Sequence, residues 1–379
     1  MPVTINGDTG IVTPMYNGSI TANAVTPSVN MKNRIINGNM VIDQRNAGAS
    51  VTPTVSGTYT LDRWAAALTA ASKFSVQQNA GSVTPPTGYI NYLGVTSLSA
   101  YSIIASDVFA LYQGIEGLNI ADLAWGTANA KTVTLSFQVY SSLTGTFGGS
   151  LRNSAVNRSY PFTYSIPTAN TWTSISVTIA GDTSGTWLTT NGVGIYVTLS
   201  LGMGSTYSGT AGAWAAGNFS SATGATSVVG TNGATFYITG VQLEVGSTAT
   251  SFDYRPYGTE LALCQRYFQI YGYGANGTAS DSCIGTGMFY TASEAIVTAE
   301  FKVIMRATPT YSAATVTNGY RYHRAGANTN LSSLPYSGSS STSAAIFGNI
   351  SLPVSGVAGY ATQIYSQVDG AKISFSAEL

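Results

Sequence analysis

Only one histidine, His323, occurs among 379 residues. A two-histidine metal centre therefore cannot form within one chain, and a Ser-His-Asp triad would have a single candidate base. No Gly-x-Ser-x-Gly marks a strand-to-helix elbow. A phosphate loop and a Cys-x-x-Cys pair are also missing. His323 sits in Tyr320-Arg321-Tyr322-His323-Arg324, where it reads as a surface or binding histidine rather than a catalytic one. Glycoside hydrolysis needs two carboxylates facing each other across roughly 5–10 Å. Fifteen acids allow such a pair without proposing one. Asp43, Asp62, Glu116, Glu244 and Asp253 fall at element ends, where capping or pairing with Arg45, Arg63 or Arg255 is the simpler role. Nothing in the residue set asks for a cofactor or a metal ion.

The chemistry that the residues do support is recognition of sugar. Aromatic rings stack on the apolar faces of pyranose rings, while hydroxyls and amides meet the sugar's own hydroxyls. Tyr320, Tyr322, His323, Arg324 and Tyr336 combine stacking faces with donors beside a Ser-rich loop at 332–343. Trp214 offers the same palette, as do Trp172 and Trp187; alternatively, the tryptophans fill a sandwich core or a subunit seam.

These side chains need a β scaffold, and the period-2 pattern supplies one. Thr132–Val139, Thr173–Ile179 and Gly194–Leu199 each place apolar residues at every second position, one face inward and a Thr/Ser/Gln face outward. Turns rich in Gly, Asn and Pro separate the runs, which predicts an antiparallel sandwich over residues 32–256. Residues 118–125 read as a short closing helix. The Gly/Ala/Ser/Thr stretch 202–233 reads as an extended loop held down by Tyr207, Trp214 and Phe219. Thr259 is the expected N-cap of a connector helix within 257–272, with Leu261, Cys264 and Phe268 on one side. A second, smaller β section follows over 273–379, with strands at Ala295–Ile304, Thr315–Tyr322, Ala344–Ile350 and Lys372–Phe375. Residues 1–31 are polar, with turn signals at Asn6-Gly7 and Asn17-Gly18, and cannot bury a core of their own.

Charged residues make up only 8%, with fifteen of each sign, against about 25% in ordinary soluble domains. No net field would attract nucleic acid or an anionic membrane. So little charge protects poorly against self-association, which predicts a homo-oligomer with much surface buried between subunits. MPVTINGDTG has no basic or apolar leader region, so no signal peptide is expected, and no run of 18 apolar residues suggests a membrane span. Cys264 and Cys283 are then expected as two buried free thiols in a reducing compartment.

Several segments carry a resemblance: VQLEVGSTATSFDYRPYGTELALCQRYF at 241–268, NRIINGNMVIDQR at 33–45, YTLDRW at 59–64, WGTANAKTVTLSFQVYSS at 125–142, NGVGIYVTL at 191–199 and ISFSAEL at 373–379. Together they resemble the fibre and receptor-binding proteins of tailed bacteriophages. The resemblance implies a carbohydrate-binding-module-like jelly roll over 32–256, a homotrimer, and no enzymatic activity. It also implies a virion tail fibre assembled in the host cytoplasm. Residues 1–31 would attach to other tail or baseplate proteins, and 273–379 would form the outermost tip, meeting host polysaccharide or lipopolysaccharide. Jelly rolls of this kind often hold a structural calcium, for which Asp43 and Asp62 are the candidates. Rival expectations are a depolymerase, although no stacked β-helix repeat is visible, and a fibre that decorates the head.

Overall fold

The structure is a computed structural model that describes residues 4–6, 10–12, 31–272, 282–324, 327–336, 342–351 and 356–379. Near the start, β1 (Thr4–Asn6) pairs antiparallel with β2 (Gly10–Val12). The remainder of the attachment segment expected at 1–31 lies outside the described residues, apart from Met31.

From Asn33 onward the chain forms one compact unit that is mostly β. Its first part contains β3 (Thr58–Leu61), β4 (Trp64–Leu68), β5 (Phe74–Gln78), β6 (Leu93–Ser97), β7 (Val108–Glu116), β8 (Val133–Ser141) and β9 (Gly145–Asn153). Then come β10 (Arg158–Ile166), β11 (Thr173–Ile179), β12 (Val193–Met203), the short β13 (Ser208–Gly209), β14 (Ala215–Ala216) and β15 (Ser221–Ala222), and β16 (Thr235–Val245). Seven strands make one sheet, ordered β14-β10-β9-β12-β7-β4-β3, and five make the other, β11-β8-β16-β6-β5. The chain alternates between the sheets, as a jelly-roll sandwich requires. Alternation explains the packing: Phe74 meets Phe109, Phe137 meets Tyr164 and Phe147 meets Phe236 across the two layers, with ring centres 6.4, 5.1 and 5.9 Å apart. These rings belong to one continuous apolar core running from Ile35 to Leu243. Two 3-10 turns, 117–119 and 121–123, occupy the expected closing helix.

Residues 33–45 form no strand, yet most of them are buried. Their backbone groups therefore need side-chain partners. The Asn33 side chain accepts from the N–H groups of Ile35 and Leu243 and donates to the Val241 carbonyl. Asn37 serves Ile42 and Asp62 in the same way, and Gln113 clamps both backbone groups of Ile36. A Cβ at Gly38 would lie 2.1 Å from the Val241 carbonyl oxygen, so only glycine fits that crossing.

The helix α1 spans Tyr257–Gln265 with Pro256 at its N-cap position and no side-chain cap. Thr259 is thus inside the helix, and Phe268 has already entered a strand. The reason is Pro256, which with its fixed φ sets the start of the helix three residues earlier. The second part holds β17 (Phe268–Gly272), β18 (Ser282–Phe289), β19 (Glu294–Glu300), β20 (Thr310–Ala313), β21 (Tyr320–Arg324), β22 (Ala327–Leu331), β23 (Ala344–Ser351), β24 (Ala361–Ser366) and β25 (Lys372–Ser376). They build a three-stranded sheet, β17-β25-β20, and a six-stranded sheet, β22-β21-β24-β18-β19-β23, around a second apolar core. The strand expected at Thr315–Tyr322 begins only at Tyr320, because Asn318 takes a positive φ and Gly319 closes a turn on Val316. The strand expected at Ala295–Ile304 runs instead from Glu294 to Glu300.

Because β25 runs antiparallel to β17, the chain returns to where the second part begins. Residues 377–379 consequently pack on the first sandwich: the Tyr59 hydroxyl donates to the Leu379 carbonyl at 2.9 Å, and Glu378 receives Arg45 and Arg63. Cys264 is buried as expected, but Cys283 is exposed, since it stands on the open face of β18; both are free thiols.

Candidate functional site: a cleft over the seven-stranded sheet

On β4, β7, β12, β9 and β10, the residues pointing away from the sandwich core line up in cross-strand rows. One row runs Ala65, Tyr112, Thr198, Ser150; the next runs Gly114, Tyr196, Arg152, Ser159; a third runs Ala67, Ala110, Ser200. Tyrosine alternates with alanine, glycine and serine, so the rings stand above a low floor. The segment after β12 folds back across this face. The Ser159 hydroxyl holds the Gly217 carbonyl and the Phe219 N–H, and β14 adds to the edge of β10. Held this way, the Gly/Ala/Ser/Thr loop places Tyr207, Asn218 and Ser220 opposite the floor.

The result is a cleft of about 350 Å³ lined by Thr69, Tyr112, Arg152, Val156, Tyr196, Tyr207, Asn218 and Ser220, with Ser56, Ala67, Leu68 and Val108. Tyr112 and Tyr196 meet edge-to-face at 5.9 Å, and the Arg152 guanidinium lies 5.7 Å from the Tyr196 ring centre. Arg152 donates to the Asn218 side chain at 2.6 Å and weakly to the Thr198 hydroxyl at 3.4 Å, while its Nε has no protein partner. Burial pulls this guanidinium down to about 10, opposed only by Tyr196 and Tyr112. The hydroxyls of Ser150 and Ser200, on the same face, are also buried without partners. Val156 reaches the cleft from the β9–β10 turn with a φ of 48°, a left-handed conformation that is strained for a β-branched residue. The Asn153 side chain fixes that turn by accepting from Asn157 and Arg158.

The sequence-derived candidates fare differently. Tyr320 and Tyr322 are fully buried and cannot stack on a ligand. They occupy the inward positions of β21, the same period-2 logic that puts His323 on the outer face. Tyr336 is partly buried and stacked on Tyr311 at 4.3 Å. Trp214 is also taken up in packing: Trp125, Trp187 and Tyr160 surround its ring at 5.3, 5.3 and 5.2 Å, and its indole N–H donates to the Ala180 carbonyl. Trp172 is held among Tyr92 and Tyr140. His323 and Arg324 are partly exposed beside Thr286, Met288, Thr362 and Gln363 in a second groove of about 500 Å³. The structure therefore brings only two of the six expected residues to one site.

Arg152, Tyr112 and Tyr196 were missed. Their signal was faint but present, since Tyr196 shares the outward Thr face of an alternating run and Arg152 is the one charge in GTFGGSLRN.

Both calcium candidates are engaged in hydrogen bonds within the protein. Asp43 accepts from the N–H groups of Asn46 and Gly48, and Asp62 from the backbone and side chain of Gln44. Among the described residues, no group of three or more His, Cys, Asp or Glu is arranged to hold a metal, and no helix is long and apolar enough to cross a membrane.

No family model matches the chain, and no curated protein matches it. Among solved structures, a putative sugar binding protein from Bacteroides thetaiotaomicron is 13% identical, covering 56% of this chain and 100% of that one at a TM-score of 0.32. The enzymatically active domain of tailspike protein 4 from bacteriophage CBA120 is 12% identical over 57% of this chain, at a TM-score of 0.29; the match spans 22% of the tailspike chain. A family 11 carbohydrate-binding module from Clostridium thermocellum, in complex with a mixed-linked tetrasaccharide, is 11% identical over 51% of this chain and 94% of that one, at a TM-score of 0.26. At such scores these likenesses carry no inference about ligands or chemistry.

Proposed function

We propose that this protein is a non-enzymatic glycan-binding β-sandwich carried on a bacteriophage particle as a homotrimeric fibre, and that it engages a host surface polysaccharide or lipopolysaccharide. The single observation behind the glycan reading is the cleft itself, in which two tyrosine rings rise from a floor of small residues and are ringed by serine, threonine, asparagine and arginine. A sugar ring needs apolar faces bordered by short hydrogen-bonding groups. The segments resembling phage fibre proteins support the particle, the trimer and attachment through residues 1–31. Three copies acting together raise avidity by about 10²–10⁴ over one cleft, which suits weak individual contacts.

The test is binding of the intact protein to an array of bacterial surface glycans, repeated with Tyr112→Ala and Tyr196→Ala. Loss of roughly tenfold in affinity across the two rings, with the glycan recovered uncleaved, supports the reading. Release of new reducing ends overturns the non-enzymatic part. Binding that survives both substitutions but fails in Arg324→Ala moves the site to the groove beside His323.

A further inference from the structure

Building on the cleft as a glycan site, we infer that it selects acidic saccharides, with Arg152 receiving the anionic group of the sugar.

Most of the other arginines have a countercharge close by. Arg34 pairs with Asp122, Arg45 and Arg63 with Glu378, Arg158 with Asp182, Arg255 with Asp253 and Glu260, and Arg266 with Glu116. Arg306 is satisfied by three backbone carbonyls. Arg152 belongs to no such pair: among the described residues no carboxylate approaches it, and it stands partly buried in the cleft. Of the acids around the cleft, Asp107 is taken up by the Thr69 hydroxyl and the Ile104 N–H, and Glu378, which Tyr112 feels, is taken up by Arg45 and Arg63. A cation withdrawn from water without a countercharge is costly, and the cost persists only where something else compensates it. Loss of a proton is no escape, because a guanidinium held at about 10 is still charged at neutral pH.

Its hydrogen bonds show which end is left for a ligand. The Nη1 end is anchored on Asn218 at 2.6 Å and Nε is buried, which leaves Nη2, with only its 3.4 Å contact with Thr198, as the end least committed to the protein. Carboxylates elsewhere in this protein are held through Nη1 or Nη2 by Arg34, Arg45 and Arg63, and through Nε together with Nη2 by two arginines. Arg158 grips both oxygens of Asp182 in this second way at 2.9 and 2.6 Å, and Arg266 grips both oxygens of Glu116 at the same two distances. In the cleft the Nη2 end of Arg152 is left for the anion, with Tyr196 and Tyr112 beside it to stack the ring that bears it. A carboxylate and a phosphate ester can both place an oxygen on such a guanidinium end.

The full-length protein is titrated by calorimetry with oligogalacturonate and oligosialate, each paired with its carboxyl-reduced form, and with a phosphomannan fragment paired with its dephosphorylated form. At least one acidic member should bind about tenfold to a hundredfold more tightly than its neutral partner, and which pair does so tells carboxylate from phosphate. Arg152→Gln should erase that preference while leaving the melting temperature unchanged or higher, since a buried charge is removed. Arg152→Lys should restore only part of it. Neutral and acidic partners binding alike, both weakened by Tyr196→Ala, would overturn the acid selectivity and leave the cleft a glycan site. A lower melting temperature in Arg152→Gln, with both partners equally weakened, would make Arg152 a structural residue. No binding by any pair, with no effect of Tyr112→Ala or Tyr196→Ala on array binding, would remove the cleft reading and this inference together.

Discussion

Glu378→Ala should strand two buried guanidinium groups at once. Arg63 is essentially inaccessible and lies 3.6 Å from the Tyr267 ring centre, while Arg45 lies 3.7 Å over Phe268. Both spend their charge on the two oxygens of Glu378. Burial works to lower the Arg63 pKa, yet Glu378 and the surrounding tyrosines carry it above its ordinary value. An arginine cannot shed its proton when the partner goes, so the penalty is that of breaking a buried pair, about 3–5 kcal/mol. That is a large fraction of the roughly 5–15 kcal/mol typical of a folded domain. Because Glu378 ties the returning C-terminal residues to the first sandwich, the loss should appear first as opening of the second β part. Urea unfolding followed by circular dichroism, with limited proteolysis along the transition, measures both. Combining Glu378→Ala with Arg63→Met should recover much of the loss, since the charge that was stranded is removed too. A single-variant loss below about 1 kcal/mol, the range of exposed pairs, with no recovery in the double variant, would refute the reasoning.

Asp62 is fully buried, and burial raises its pKa to about 7 despite Arg45 and two hydrogen bonds from Gln44. A carboxyl raised in the folded state contributes stability that is complete below its unfolded pKa and fades as pH rises through 7; stability should therefore fall between about pH 4 and 7, and Asp62→Asn should remove that slope. Only Cys283 should react with a maleimide in the native protein, Cys264 becoming reactive on unfolding; mass spectrometry showing two adducts without denaturant would contradict the buried position of Cys264. Tyr322→Phe should be neutral or slightly stabilising, because its buried hydroxyl has no partner, whereas Tyr322→Ala should cost about 3–5 kcal/mol; equal losses in thermal melts would show that the hydroxyl is bonded.

The local pattern determined the class of fold. Alternation at 173–179 and 194–199 can be satisfied only by strands with one buried face, and the scarcity of charge excluded a fold that solvates both faces. The long aromatic-basic string at 253–267 also announced its importance, but not its role. Arg255 and Glu260 secure the buried segment at 33–37, while Arg266 and Tyr267 both close on Glu116. The string is a joint between two cores, a fact visible only when residues 150 positions apart meet. The site was harder still. Tyr320 and Tyr322 carried the right chemistry, yet period 2 places them on one face without saying which face is wet; the second core decided that. Arg152 was one arginine among several until the fold gave every paired arginine its carboxylate and left this one beside two tyrosines under a folded-back loop. Side-chain type and spacing are local properties and can be read along a chain. Burial, countercharge and the closing of a cleft depend on strands brought together across the sheet, so only the tertiary structure could decide them.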